Sequence, residues 1–351
     1  MRRMNTKIIA LIFVVVTMLI LVTGCVQETV EPTVENEQIS DEQDEPTIVK
    51  ESLIVEETDT TLTFKDVGGE LITVKKNPSR VISLYNSYLD LWYMTGAEAV
   101  GRVNGTTGVP EEAMDIETVG KWSQPNIEAV LALNPDMVIM RATISKQRAI
   151  EDQLKANNID TCYVDYTTFD EFLQVVEVFA HITGDTSVFE ETIEPMISNM
   201  DKLKEKVGNI EGPEAMVLFS TSKSLSIENE EGTTGAIVKE LGGKNIVKEN
   251  IAEGKTRIDF SLETIVERNP KIILIKTMGN IDDCKNTLEV NAMSNEAWNE
   301  IDAVKDGNIH FLDKNLFMYK PNKRYFEAYL TMAKLLYPNE NFSEFDSEMI
   351  N

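Results

Sequence analysis

The chain has 351 residues, with 59 acidic against 33 basic side chains, a formal charge of −26 and two histidines. That balance argues against nucleic-acid binding, which needs a basic footprint. Two imidazoles also argue against a bare zinc or manganese site, which takes several imidazoles or a dense carboxylate set.

In chain order, Arg2, Arg3 and Lys7 precede an apolar run over residues 8–22 and then Thr23-Gly24-Cys25. A basic end, a short apolar core and small residues before a cut describe an export signal over residues 1–24. The run is shorter than the roughly 20 apolar residues of a membrane-spanning helix. Val22-Thr23-Gly24-Cys25 resembles a bacterial lipobox, which implies lipidation of Cys25 and an extracytoplasmic protein anchored to the cell membrane. Residues 25–60 are rich in Glu, Asp, Thr and Gln, so a disordered acidic tether is expected there, with a reach on the order of 30 Å.

The body opens with two alternating runs around Gly68-Gly69, a predicted hairpin. Buried strands are predicted over residues 80–84, 99–103, 136–140 and 161–166, with helices between them. One unit occurs twice, at residues 126–140 and 261–275. Each copy has a polar cap (Asn126, Ser261), an early glutamate (Glu128, Glu263), an apolar helical face, an Asn-Pro stop and a buried strand. Between the copies, residues 186–207 read as one amphipathic helix. Further strands are predicted at 215–219, 271–275 and 308–312, with helices at 234–243, at 294–301 and through Tyr337. The fold class is therefore α/β: two similar α/β lobes, 61–185 and 209–351, joined by one long spine helix over 186–208, with a ligand cleft between the lobes. Cys162 and Cys284 fall in different lobes and are expected as buried or inert thiols.

Ligands of open α/β sheets sit beyond the carboxyl ends of the strands. Reading past each strand gives Tyr85, Asn86, Arg141 and Tyr166 in the first lobe, and Ser222, Lys276 and Tyr319 in the second. Lys121, Trp122 and Arg257 occupy the loops before the two capped helices. This set is basic and aromatic in an acidic chain, and it suits an anionic, partly aromatic ligand. His181 and His310 fall within a predicted helix and strand and read as packing residues. No GxSxG or HExxH run occurs, and Gly242-Gly243 lacks the flanks of a phosphate loop, so no enzyme is expected.

The stretches NPSRVISLYNSYLDL, VGKWSQPNIEAVLALNPDMVI, GAIVKELGGKNI, FSLETIVERNPKIILI, AWNEIDAVKDGNIHFLD and YLTMAKLLYP resemble, in order and spacing, the solute-binding proteins of bacterial ABC importers for iron-siderophore, haem and cobalamin. The resemblance implies a monomeric bilobal binder with a rigid helical backbone. It implies a membrane permease dimer as partner, docked through Glu128 and Glu263. It implies no cofactor of the protein's own, iron entering only within the bound chelate. On charge grounds a ferric siderophore ranks first among the ligands, haem second and cobalamin third. A non-transport surface protein or an enzyme is the remaining alternative.

Overall fold

The computed structural model describes Val49 and residues 51–66, 68–247 and 255–349. The expected signal segment, Cys25 and most of the tether lie outside the described residues. Strands β1 (Ile54–Glu57), β2 (Thr61–Lys65) and β3 (Leu71–Lys75) form an antiparallel sheet, with β2 and β3 as the predicted hairpin. The first strand falls inside the stretch expected as tether to residue 60, a correction to that boundary. Its cause is the apolar run Leu53-Ile54, which packs on the main core beside buried Val49.

The first half then runs β4 (Val81–Ser83), α1 (Asn86–Met94), β5 (Gly101–Arg102), β6 (Glu117–Thr118), β7 (Gly120–Lys121), β8 (Gln124–Pro125), α2 (Ile127–Ala132), β9 (Met137–Arg141), α3 (Ser145–Arg148), α4 (Glu151–Ala156), β10 (Asp160–Val164) and α5 (Phe169–Thr183). Its five-stranded sheet has the order β10-β9-β4-β5-β6, and every pairing is parallel. The second half comprises α6 (Glu194–Val207), β11 (Glu214–Thr221), β12 (Leu225–Glu228), α7 (Thr233–Glu240), β13 (Lys244–Asn245), β14 (Arg257–Asp259), α8 (Leu262–Arg268), β15 (Ile272–Met278), α9 (Ile281–Leu288), α10 (Asp302–Lys305), β16 (Ile309–Phe311), α11 (Lys314–Phe317) and α12 (Tyr325–Leu336). Here β11, β15 and β16 run parallel, while β12 and β14 are antiparallel additions at one edge.

Both central strands are buried on two faces, so their apolar residues run without polar interruption. Met137 and Ile139 of β9 face the largest core while Val138 and Met140 face a smaller one. In β15, Ile272 and Leu274 join that same large core, and Ile273 and Ile275 join a separate outer one. The large core also takes in Phe172 and Phe179 of α5, Met200 and Leu203 of α6, and Tyr325 and Tyr329 of α12. The predicted long helix has a π-helical turn at Phe189–Ile193. It falls just before Pro195, whose ring has no N–H and crowds the carbonyl four residues back, and a wider turn relieves that crowding.

Both copies of the repeated unit fold alike. Asn126 Oδ1 accepts from the amides of Glu128 (3.0 Å) and Ala129 (3.3 Å), and Ser261 Oγ accepts from that of Thr264 (3.3 Å). Asn134 and Asn269, before the prolines, adopt left-handed φ of 46° and 44°. Asparagine tolerates that region better than most residues. Cys162 and Cys284 are free and buried.

A candidate ligand cleft at the strand ends

The sheet order β10-β9-β4 sets three strand ends side by side, and their following residues meet. Arg141, the last residue of β9, donates from Nε to Asp165 Oδ2 (3.0 Å) and from a terminal nitrogen to the Tyr85 hydroxyl (3.2 Å). Its guanidinium lies 5.1 Å from the Tyr85 ring centre. Asp165, one residue beyond β10, also accepts from the Tyr88 hydroxyl (2.8 Å), Thr143 Oγ1 (2.9 Å) and its neighbour's amide (2.9 Å). Burial alone would raise its pKa, but Arg141 and Lys320 nearby, with the bonds from Arg141 and Tyr88, hold the carboxyl below the usual range. Burial likewise opposes the charge on Arg141, yet Tyr88, Asp165 and Tyr85 around it raise its pKa and keep it a cation.

Trp122 stands at the tip between β7 and β8, about half exposed, with its ring edge-on to Tyr85 at 6.3 Å. Gln147, fully buried, holds this corner together. Its Nε2 donates to the carbonyls of Leu84 (2.9 Å) and Trp122 (2.8 Å), and its Oε1 accepts from the Arg141 amide (2.7 Å).

The second half contributes the segment after α11. Lys320 Nζ donates to the Tyr166 carbonyl and lies 4.5 Å from that ring's centre. Burial lowers its pKa to about 8, with Asp165 and Glu171 opposing the shift and Arg141 and Lys276 adding to it. Asn322 crosses between the halves. It accepts from the Tyr166 hydroxyl and donates to the Ser87 carbonyl (2.8 Å) and Asp90 Oδ2 (2.6 Å). Lys276, near the end of β15, forms a buried pair with Glu228 (2.7 Å), whose other oxygen accepts from the first-turn amides of Thr234 (2.9 Å) and Gly235 (3.1 Å). A Cβ on Gly235 would fall 1.8 Å from the Asn229 carbonyl oxygen, so only glycine lets this helix start sit so close.

The predicted site residues therefore divide. Tyr85, Trp122 and Arg141 form one connected group, and Tyr319 is near enough to Tyr85 to contribute to the rise in that phenol's pKa, which burial dominates. The Tyr166 ring is 1 % exposed and packed on Tyr88 and Phe172, so it does not line the cleft itself; its carbonyl and one ring face hold Lys320 instead. Asn86 begins α1 with its Oδ1 buried and unpartnered. Lys121, Ser222 and Arg257 are exposed; no hydrogen bond or ring contact joins them to the group, and Arg257 lies over Phe219 instead (4.2 Å). Reading the sequence missed Asp165, Gln147, Glu228 and Asn322. Asp165 alone had a signal, an acid one residue past a buried strand. Among the described residues no group of three or more His, Cys, Asp or Glu is placed to hold a metal ion. A polar cavity of about 470 Å³ lined by Glu214, Lys239 and Lys244 lies instead toward the amino ends of β11 and β13.

The family profile described as "Periplasmic binding protein" matches residues 81–316, from β4 to α11. The chain belongs to the periplasmic binding protein family. A relative, the Bacillus subtilis protein YvrC, named an uncharacterized ABC transporter substrate-binding lipoprotein, is 25 % identical over 284 residues, 79 % of this chain and 86 % of its own. The crystal structure of Staphylococcus aureus IsdE complexed with heme superposes with a TM-score of 0.65 at 20 % identity, covering 74 % of this chain and 98 % of that one. That of S. aureus SirA complexed with staphyloferrin B gives 0.61 at 21 %, covering 79 % and 97 %. These likenesses make the α/β architecture that of a periplasmic binding protein.

Proposed function

We infer that this periplasmic binding protein is the substrate-binding component of an ABC importer, taking a ferric siderophore or related iron chelate and handing it to a membrane permease dimer. The observation that carries the ligand class is the cationic and aromatic group Tyr85, Trp122, Arg141 and Lys320 at the strand ends of a chain with a net charge of −26. Cations pair with the charge of a chelate, and ring faces cover its apolar surface. Haem or cobalamin in the same cleft is the alternative. In this reading the two halves are lobes, the helix through α6 is their spine, and the cleft lies between them. Iron arrives only inside the chelate, the protein catalyses no reaction, and a lipid on Cys25 ties a monomer to the outer face of the cell membrane. Glu128 and Glu263, exposed in the first turns of α2 and α8, dock on the permease.

Tryptophan fluorescence of the body lacking the signal segment tests this reading. Trp92 and Trp298 are buried at 1 % exposure, so Trp122 is the tryptophan in reach of a ligand in the cleft. Titration with ferric staphyloferrin B, haemin and cyanocobalamin should give saturable quenching with one of them at submicromolar concentration, weakened by Trp122→Phe, the remainder being energy transfer from the two buried tryptophans. Calorimetry showing no binding of all three would refute the ligand class.

A further inference from the structure

The charges at the strand ends do not balance, and the imbalance falls on one residue. Arg141 is paired with Asp165, and Lys276 with Glu228, so each of those cations is neutralised by a buried carboxylate. Lys320 differs. Its ammonium meets a carbonyl and a ring, and among the described residues it has no carboxylate within ion-pair distance. The charged groups around it are Asp165, Arg141, Glu171 and Lys276, two of each sign. Asp165 is already committed to Arg141, Thr143 and Tyr88, and the Glu171 carboxylate to the amides of Thr167 and Thr168. A half-buried cation in this setting keeps one donor on protein and has others left for a ligand, since an ammonium carries three.

We propose that Lys320 is the residue that selects net negative charge in the ligand, an unneutralised ammonium at the junction of the two halves. The proposal rests on the substrate-binding reading above and refines it to one side chain and one ligand property. Arg141 and Lys276, fixed by their carboxylates, supply shape and hydrogen-bonding surface but little net field. Lys320 supplies the field. A ligand whose anionic group reaches Lys320 completes the third ion pair, while a neutral ligand leaves the ammonium solvated.

The test compares wild type, Lys320→Gln and Lys320→Arg by calorimetry at pH 7 against ferric staphyloferrin B and haemin, both anionic, and cyanocobalamin, which has no net charge. Thermal melts check that each variant folds. For an anionic probe that binds wild type, Gln should weaken affinity by about tenfold to a hundredfold, the range of a lost charge-assisted hydrogen bond. Arg should restore most of it. The dependence of affinity on ionic strength should be steep in wild type and the Arg variant and flat in the Gln variant. Equal losses for Gln and Arg, or an unchanged salt dependence, would make Lys320 a packing residue and overturn the proposal while leaving the substrate-binding reading intact. Wild-type binding of cyanocobalamin alone would do the same. No binding of any probe overturns the underlying reading, and the charge selection with it.

Discussion

At the scale of single residues, Asp165 and Gln147 fix Arg141 and the Trp122 corner; the strand-end rule reached Tyr85 and Arg141, and the loop before the first capped helix gave Trp122, but neither reached these supports. Asp165, Gln147 and Asn322 reach partners up to 235 positions away in the chain, such as Thr143 for Asp165, Leu84 for Gln147 and Ser87 for Asn322, and no local pattern encodes those long contacts. Tyr166 shows the converse error. Its place after β10 suggested a lining residue, but a residue past a strand end turns either outward or into the core, and this one turns inward. Lys320 carries the residue-scale prediction. Burial puts its pKa at about 8 in the folded chain, below the roughly 10.4 of an unfolded lysine. Between those values the unfolded chain binds more protons, so the ligand-free protein gains stability from this group as pH rises through the window. Affinity for an anion moves the other way. It is level below about pH 8 and falls by up to about tenfold per unit above it, because the protonated form is the one that binds. Burial pushes the neighbouring phenols of Tyr85, Tyr88 and Tyr166 up, so in the folded chain they stay neutral through the window; their loss of stability enters only at its top, where unfolded phenols ionise at about pH 10, and the Lys320 trend is read below about pH 9. Melts and titrations from pH 7 to 10 should therefore diverge, and Lys320→Arg should flatten both trends.

At the scale of elements, the repeated unit was legible because its signals are local. A cap, an apolar face at helical spacing, an Asn-Pro stop and an apolar strand all fall within one short stretch of chain, and both copies folded as read. The edge strands β12 and β14 were not legible. They are four and three residues long, and their pairing with β11 and each other is settled by the sheet rather than by their own alternation. The π-helical turn was also missed, since an apolar period survives one widened turn and only Pro195 hinted at it. The caps give a clean test. Asn126→Ala removes two bonds at the start of a six-residue helix, and should cost about 1 kcal/mol in urea denaturation. Ligand affinity should not change, because Asn126 makes no contact with Arg141, Asp165 or Lys320. A loss of affinity alongside stability would place α2 in the binding site, contrary to the geometry above.

At the scale of the whole molecule, the alternation of strands and helices gave the α/β class, and the likeness of the two units suggested two similar halves. The halves are alike in their units but not in their sheets, one wholly parallel and one with antiparallel edges. What the likeness does preserve is a pair of exposed carboxylates, Glu128 and Glu263, each six residues before the asparagine of an equivalent Asn-Pro stop with the same left-handed backbone. Two readings of that pair make different predictions. If the glutamates only complement the helix dipoles, each is worth about 0.3 to 1 kcal/mol, and replacing both should lower the melting temperature and nothing else. If they dock on a permease dimer, Glu128→Gln with Glu263→Gln should abolish uptake by cells. Ligand affinity of the soluble protein should stay unchanged, since neither side chain meets the cleft group. Each single variant should keep partial uptake, because the other carboxylate still engages its half of the dimer. Full uptake by the double variant at normal protein levels would leave the glutamates as dipole partners and move the search for the docking surface elsewhere.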